Sequence, residues 1–392
     1  MEQQTLWLWL ASSGITPRQF ARLAEVYGDV EGIDRALGGY SVREGGLPVS
    51  ATALRKLREA RRPGAISDVE RAMKRADMRL VTRDDAEYPA LLRHLDEDAP
   101  IALFVRGYAE LKLPRAFAIV GTRRCTRYGA QAAERIAAGL AAAGVAVVSG
   151  MARGVDTAAH LGCLSVGGCT VAVLGCGADI TYPRENEELL MRILDEGGAV
   201  VSEYAPGVQP LGRHFPVRNR IISGMCSGVL IVEASVRSGA KHTVDHAQDQ
   251  GREVYALPGP VDSPTSEMPL ILLRDGGQMA TSAGDILASI RWLGDGDACR
   301  GDDPSPVPLG RAINDRPYNH GQSPVGAHIE RPSQLEPAQR QITETLKETE
   351  LTFSEIVART GFSPQELNSH LTLLELHGII IQLPGRIFAL AR

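Results

Sequence analysis

The 392-residue sequence has no run approaching the ~18 consecutive apolar residues that a membrane-spanning helix requires. Its opening, MEQQTLWLWLASSG, lacks the positive flank and small-residue cleavage site of a secretory signal. These absences predict a cytoplasmic protein that makes no use of a membrane. The six cysteines (Cys125, Cys163, Cys169, Cys176, Cys226 and Cys299) form no CxxC pair. Five of them lie in apolar or glycine-rich segments, which predicts buried reduced thiols rather than a disulfide frame or a zinc site. There is no GxxxxGK[ST] phosphate loop, no HExxH and no GxSxG elbow, so a P-loop nucleotidase, a zincin and a Ser-triad hydrolase have no support. His242 and His246 share a helical spacing with Asp245 between them, but no third ligand follows, and no metal or other cofactor is expected. Gly175-Cys176-Gly177 begins like a dinucleotide fingerprint. The third glycine is missing at Ile180, and Pro183 interrupts the helix that should follow, so a tight turn is the better reading.

Charge is nearly balanced, with 42 Lys and Arg against 47 Asp and Glu and a net charge of −5. That excludes a histone-like polycation but not a nucleic-acid binder, because binding follows the local arrangement of cations. A chain of this length holds two to four domains. Residues 1–77 alternate helical patterns with short breaks, and Thr16-Pro17 is a helix start with its cap and first-turn proline. Two extended runs, MRLVTR and IALFVRG, then begin a different architecture. Over residues 78–292, apolar Val-rich strands alternate with helical stretches, which predicts a doubly wound α/β domain with a mostly parallel, Rossmann-like sheet. Residues 293–334 are rich in Gly, Pro and Asp without periodicity and read as a linker. Residues 335–392 give three helices and a hairpin turning at Pro384-Gly385, a winged helix whose recognition helix Ser363-Pro364 would cap.

Most strands of the central region end in Gly or a small polar residue, so their carboxyl ends should form the crevice where such sheets bind ligands. Three loops there carry cations: Gly121-Thr122-Arg123-Arg124, Ser149-Gly150 through Arg153-Gly154, and Ser235 through Arg237-Ser238-Gly239-Ala240-Lys241. Glycine loops opening onto helix N-termini suit phosphate. With Arg127, Arg184, Arg213, Arg218 and Arg220 also near strand ends, the pattern suits a polyanion better than a small neutral substrate. Tyr128, Tyr182 and Phe215 are interleaved with this charge, as in proteins that stack single-stranded bases. The C-terminal segment has seven acidic residues against five basic, and SPQELNSHLTLLELHG has no Lys or Arg. It therefore reads as a protein-contact module rather than a DNA reader.

In order and spacing, AIVGTRRCTRYG, VVSGMARGVDTAAHLG, TVAVLGCGADITYPRENEEL, VVSEYAPG, HFPVRNRIISGMCSGVLIVEA and VYALPGPV resemble the DNA-processing protein A (DprA/Smf) family. The resemblance is strong over 78–290; the N-terminal helices look like that family's SAM-like domain and the C-terminal piece like its winged helix. It implies a non-enzymatic, cytoplasmic protein that binds single-stranded DNA, dimerises through the Rossmann-like domain and loads the recombinase RecA during transformation or recombination. It makes Arg123 the key phosphate contact, with Gly121, Thr122 and Gly150 in the same loops. Phe215, Arg218, Asn219 and Arg220 would line the pocket, with Arg184 and the Gly239–Lys241 loop nearby. Two stretches depart from the family: Ser238-Gly239-Ala240-Lys241-His242-Thr243 stands for SGSLxT, and Ser266-Glu267-Met268-Pro269-Leu270-Ile271 for SxGxNxLI. A nucleotide-binding or nucleotide-processing enzyme on a related fold is the alternative.

Overall fold

The computed structural model describes residues 2–38, 48–290, 292, 336–347, 351–362 and, from 367 to 390, the residues 367, 370–371, 373–375, 379–383 and 387–390. The linker expected at 293–334, the cap at Ser363-Pro364 and the turn at Pro384-Gly385 lie outside these residues. The chain divides into two compact units, Met1–Asp297 and Ala298–Arg392.

The first unit opens with helices α1 (Gln3–Ser12), α2 (Pro17–Tyr27), α3 (Val30–Gly38), α4 (Ala51–Ala60) and α5 (Pro63–Arg75). Helix α2 starts where a capping box forces it to. The Thr16 hydroxyl accepts from the Gln19 amide, Gln19 returns its carbonyl to the Thr16 amide at 2.9 Å, and Pro17 sets the first φ. Leu6, Trp9, Leu23 and Leu57 form a fully buried centre, with the Trp9 indole donating to the Leu57 carbonyl at 2.8 Å. This core continues into Ile101, Phe104 and Ala205, so the helices share their apolar face with the sheet that follows.

That sheet has nine strands: β1 (Met78–Thr82), β2 (Ala102–Gly107), β3 (Ala116–Val120), β4 (Ala146–Ser149), β5 (Thr170–Val173), β6 (Ala199–Ser202), β7 (Gly228–Ile231), β8 (Glu253–Ala256) and β9 (Gln278–Met279), in the order β1-β2-β6-β5-β4-β3-β7-β8-β9. Strands β3 to β9 pair in parallel. The MRLVTR and IALFVRG runs begin this sheet, as their change of pattern after the helices predicts. They are β1 and β2, which extend the same sheet through antiparallel pairs at one edge. The β3–β7 strands are buried along their whole length, which is why they read as continuous apolar runs.

Helices α6 (Ala90–Arg93), α7 (Arg127–Ala142), α8 (Val155–Leu164), α9 (Glu187–Asp195), α10 (His214–Gly224), α11 (Ala240–Asp249), α12 (Glu267–Arg274) and α13 (Ala283–Ser289) cover the two faces. One core sets Val148, Val173 and Ile231 against Ile221 and Val244; the other sets Phe117, Val147 and Leu230 against Ile136 and Ala159. Strands β3, β4, β5 and β6 run outward in one direction from the centre, whereas β7 and β8 start on the other side of β3. The order therefore reverses between β3 and β7, the point at which open α/β sheets form a crevice.

The second unit holds α14 (Pro337–Thr345), α15 (Phe353–Thr360) and an antiparallel sheet of β10 (Leu351–Thr352), β11 (Ile380–Leu383) and β12 (Ile387–Leu390) in the order β10-β12-β11. Ile342, Ile356, Leu367, Leu371, Leu374 and Phe388 close a separate core, the winged-helix arrangement.

Candidate nucleic-acid interface

At the reversal between β3 and β7 lies an open cleft of about 580 Å³. The β3 loop brings Gly121, Thr122, Arg123 and Arg124 to it, α8 brings Asp156, and the β7 loop brings Ser235, Ser238 and Gly239. Helix α10 crosses above and contributes Phe215, Arg218, Asn219 and Ile222. These four recur at i, i+3, i+4 and i+7, one helical face.

The β3 loop is held rigidly. The Thr122 amide donates to the Glu233 carbonyl at 2.6 Å, and its own carbonyl accepts from the Val155 amide at 3.3 Å. A Cβ on Gly121 would lie 2.6 Å from the Val155 side chain, so only glycine lets the two loops approach. Arg123 is exposed and stands over the Phe215 ring, 5.6 Å from its centre, while Tyr182 packs on that ring with centroids 5.3 Å apart. Among the described residues Arg123, Arg124, Arg127 and Arg213 have no ion-pair partner. Arg153, by contrast, pairs with Glu185.

The helix N-termini behave differently from expectation. The amide and hydroxyl of Thr126 both donate to the Glu233 carboxylate, at 2.7 and 2.6 Å, and Thr126 in turn caps α7 at Gly129. An internal carboxylate thus occupies the site that the glycine turn before α7 promised to a phosphate. Asp156 does the same in the next loop, accepting from the Gly150 and Ala152 amides at 3.2 Å. What remains for an outside anion is the guanidinium groups and the open loop at Gly239, where an added Cβ would meet nothing.

Beneath Phe215 lies a buried polar layer. Arg218 is 4% exposed and donates to the carbonyls of Gly150, at 2.9 Å, and Val173. Burial lowers its pKa to about 10, and burial raises that of Asp156 to about 6 against the pull of the Arg218 charge. Gly150 is the floor of this layer, since a Cβ there would sit 2.6 Å from the Arg218 guanidinium and 2.9 Å from Asp156. His160 below is fully buried, and burial drives its pKa down to about 3. Its Nδ1 meets the Thr170 hydroxyl at 2.7 Å; because that hydroxyl donates to the Val147 carbonyl, the network assigns the imidazole proton to Nδ1. Met151 takes a left-handed φ of 59°, and the Asn186 amide fixes it by donating to its carbonyl at 2.9 Å.

Of the residues singled out from sequence, Gly121, Thr122, Arg123, Phe215, Arg218, Asn219 and Gly239 meet in the cleft, and Gly150 underlies it. Arg220 does not. It is buried on the opposite side of α10, forked onto Glu203 at 2.8 and 2.6 Å and bound to the Asp98 carbonyl, because two residues along a helix turn a side chain by about 200°. Lys241 is tied to Asp245 one turn on, and Arg184 is exposed on the turn after Pro183; neither lines the cleft. Sequence reasoning passed over Glu233 as a strand end and Asn186 altogether. An acid closing an otherwise apolar strand was the signal for the first.

A family model described as DNA recombination-mediator protein A matches residues 79–291, and one for the DprA winged helix domain matches 329–386. The putative DNA processing protein DprA of Mycobacterium tuberculosis is 36% identical over 97% of this chain and 92% of its own length. The DprA of Streptococcus pneumoniae is 43% identical over 50% of this chain and 68% of its own. The X-ray structure of DprA from Streptococcus pneumoniae superposes with a TM-score of 0.62 at 34% identity, covering 73% of this chain and 97% of that one. With its fold, its two matched domains and near full-length similarity agreeing, the chain belongs to the DNA recombination-mediator protein A (DprA) family.

Proposed function

We propose that the cleft binds single-stranded DNA without cutting it, with Arg123 and Arg124 on phosphates and the Phe215–Tyr182 pair stacking a base. The observation that carries this is an exposed guanidinium, without a carboxylate partner among the described residues, poised over an aromatic ring at the mouth of an open cleft. Guanidinium and ring together suit a backbone and its bases, whereas a mononucleotide enzyme would need acid–base groups aimed into the cleft. Asp156 is turned onto backbone amides and His160 is sealed below, which speaks against that alternative. The family's description as a recombination mediator supports the further reading that the bound strand is handed to the recombinase RecA. A cytoplasmic homodimer formed through the Rossmann-like domain completes the proposal. Among the described residues no helix is long and apolar enough to cross a membrane.

The test is fluorescence anisotropy of oligo-dT against duplex and against free nucleotides over a salt series. With five or so phosphates neutralised at ~0.7 each, log Kd should change with log salt by a slope of about 3 to 4. A flat response, or a preference for free nucleotide, would sink the assignment.

The acidic winged helix is read as a contact for proteins. Ending the chain at Asp297, the boundary between the two compact units, should leave oligo-dT affinity within about threefold, since rim charges elsewhere contribute little to a phosphate cleft. A folded truncation that loses more than tenfold would make the wing a DNA element.

A further inference from the structure

Tyr128 stands outside the cleft, at the first turn of α7, and the residue is 46% exposed. Its hydroxyl donates to the Pro258 carbonyl at 2.7 Å, so the ring is fixed at the carboxyl end of β8. A tyrosine whose polar end is already satisfied and whose face is open has little conformational freedom left to lose when something stacks on it. Arg124 and Arg127 precede it in sequence, exposed and without a carboxylate partner among the described residues.

The topology sets the distance. Strands β3, β7 and β8 are neighbours, so the end of β8 lies two strand spacings, about 10 Å, from the end of β3 that carries Arg123. At ~3.4 Å per stacked nucleotide, about three nucleotides cover that length. Between the two points the Glu233 carboxylate is buried and turned onto the Thr126 amide and hydroxyl at the α7 N-terminus, so its charge is held away from a passing backbone.

We infer that Tyr128 is a second base-stacking platform, with Arg127 on the adjoining phosphate, and that a single strand held at Arg123 leaves the cleft over the α7 N-terminus toward β8. This rests on the single-strand reading of the cleft and adds its exit path.

The experiment uses the full chain, with oligo-dT of about six residues and an abasic oligomer of the same length, by anisotropy. Tyr128→Ala should weaken oligo-dT about 5- to 150-fold, the range of a lost base stack, and leave the abasic strand within about twofold. Tyr128→Phe keeps the stacking face but loses the tether to Pro258, so it should weaken oligo-dT by less than about fivefold and leave the abasic strand unchanged. Equal loss on both strands would make Tyr128 a structural staple between α7 and β8, and no loss on either would leave it without contact. A change in sedimentation with oligo-dT binding intact would assign the ring, with the nearby exposed Val261, to contact between copies. Each of these outcomes overturns the inference. Should Tyr128→Ala fail to fold, 5-iodouracil photocrosslinking of the unmodified chain decides, with an adduct at Tyr128 expected and adducts confined to the cleft overturning it. If the unmodified chain binds neither strand, the reading of the cleft itself fails, a result distinct from any above.

Discussion

Arg123→Ala should reduce affinity for oligo-dT by roughly 10- to 100-fold, the equivalent of one charge-assisted hydrogen bond to phosphate, while leaving thermal unfolding almost unchanged. Its effect on stability is small because, among the described residues, the side chain has no hydrogen-bond or ion-pair partner and stands over the face of Phe215. Its effect on binding is large because the loop beneath it does not move. Thr122 is pinned to Glu233 on one side and to Val155 on the other, so the guanidinium is presented with little ordering cost. Arg153→Ala is the matched control. That arginine is also exposed and also follows a sheet strand, but it is spent on Glu185, so its removal should change affinity less than twofold. Similar losses for both variants would mean that general positive charge, not the cleft, holds the strand.

The parts of this arrangement that a sequence can disclose are those governed by short-range periodicity. The parallel strands were legible because burial on both faces leaves no polar alternation, and α2 because its capping box is written in Thr16, Pro17 and Gln19. The helical face of α10 was legible too: Phe215, Arg218, Asn219 and Ile222 are separated by turns, which also places Arg220 on the far side. Grouping Arg220 with the cleft ignored that geometry. Other features depend on distant partners that no local pattern encodes. Glu233 lies over a hundred positions from the Thr126 it binds, and only the β3–β7 pairing brings them together. The antiparallel addition of β1 and β2 is set by their common core with Phe104 and the N-terminal helices, again a long-range matter. The glycine loops therefore announced anion sites correctly in kind, but not that the protein fills two of them with its own carboxylates.

Those filled loops make Gly154 a position where a single methyl group should cost heavily and also disturb the cleft. It precedes α8 with φ 77° and ψ −120°, a conformation that side chains avoid. A Cβ there would also lie 2.5 Å from the Thr122 carbonyl and 2.9 Å from the Arg123 carbonyl carbon, both backbone atoms that cannot swing aside. Gly154→Ala should therefore lose about 2–4 kcal/mol, from backbone strain plus displacement of the β3 loop. Gly144 separates the two contributions. It shares the φ of 77°, but a Cβ on it would meet nothing within 4 Å, so Gly144→Ala carries the conformational cost alone, about 1 kcal/mol. At roughly 2–4 °C per kcal/mol for a unit of this size, calorimetry resolves the difference. Because the displaced atoms belong to Thr122 and Arg123, the excess destabilisation in Gly154→Ala should come with weaker binding of oligo-dT, which Gly144→Ala should not show. Equal melting of the two variants would mean that the loop yields to the added methyl, and the rigidity on which Arg123 depends would have to come from elsewhere.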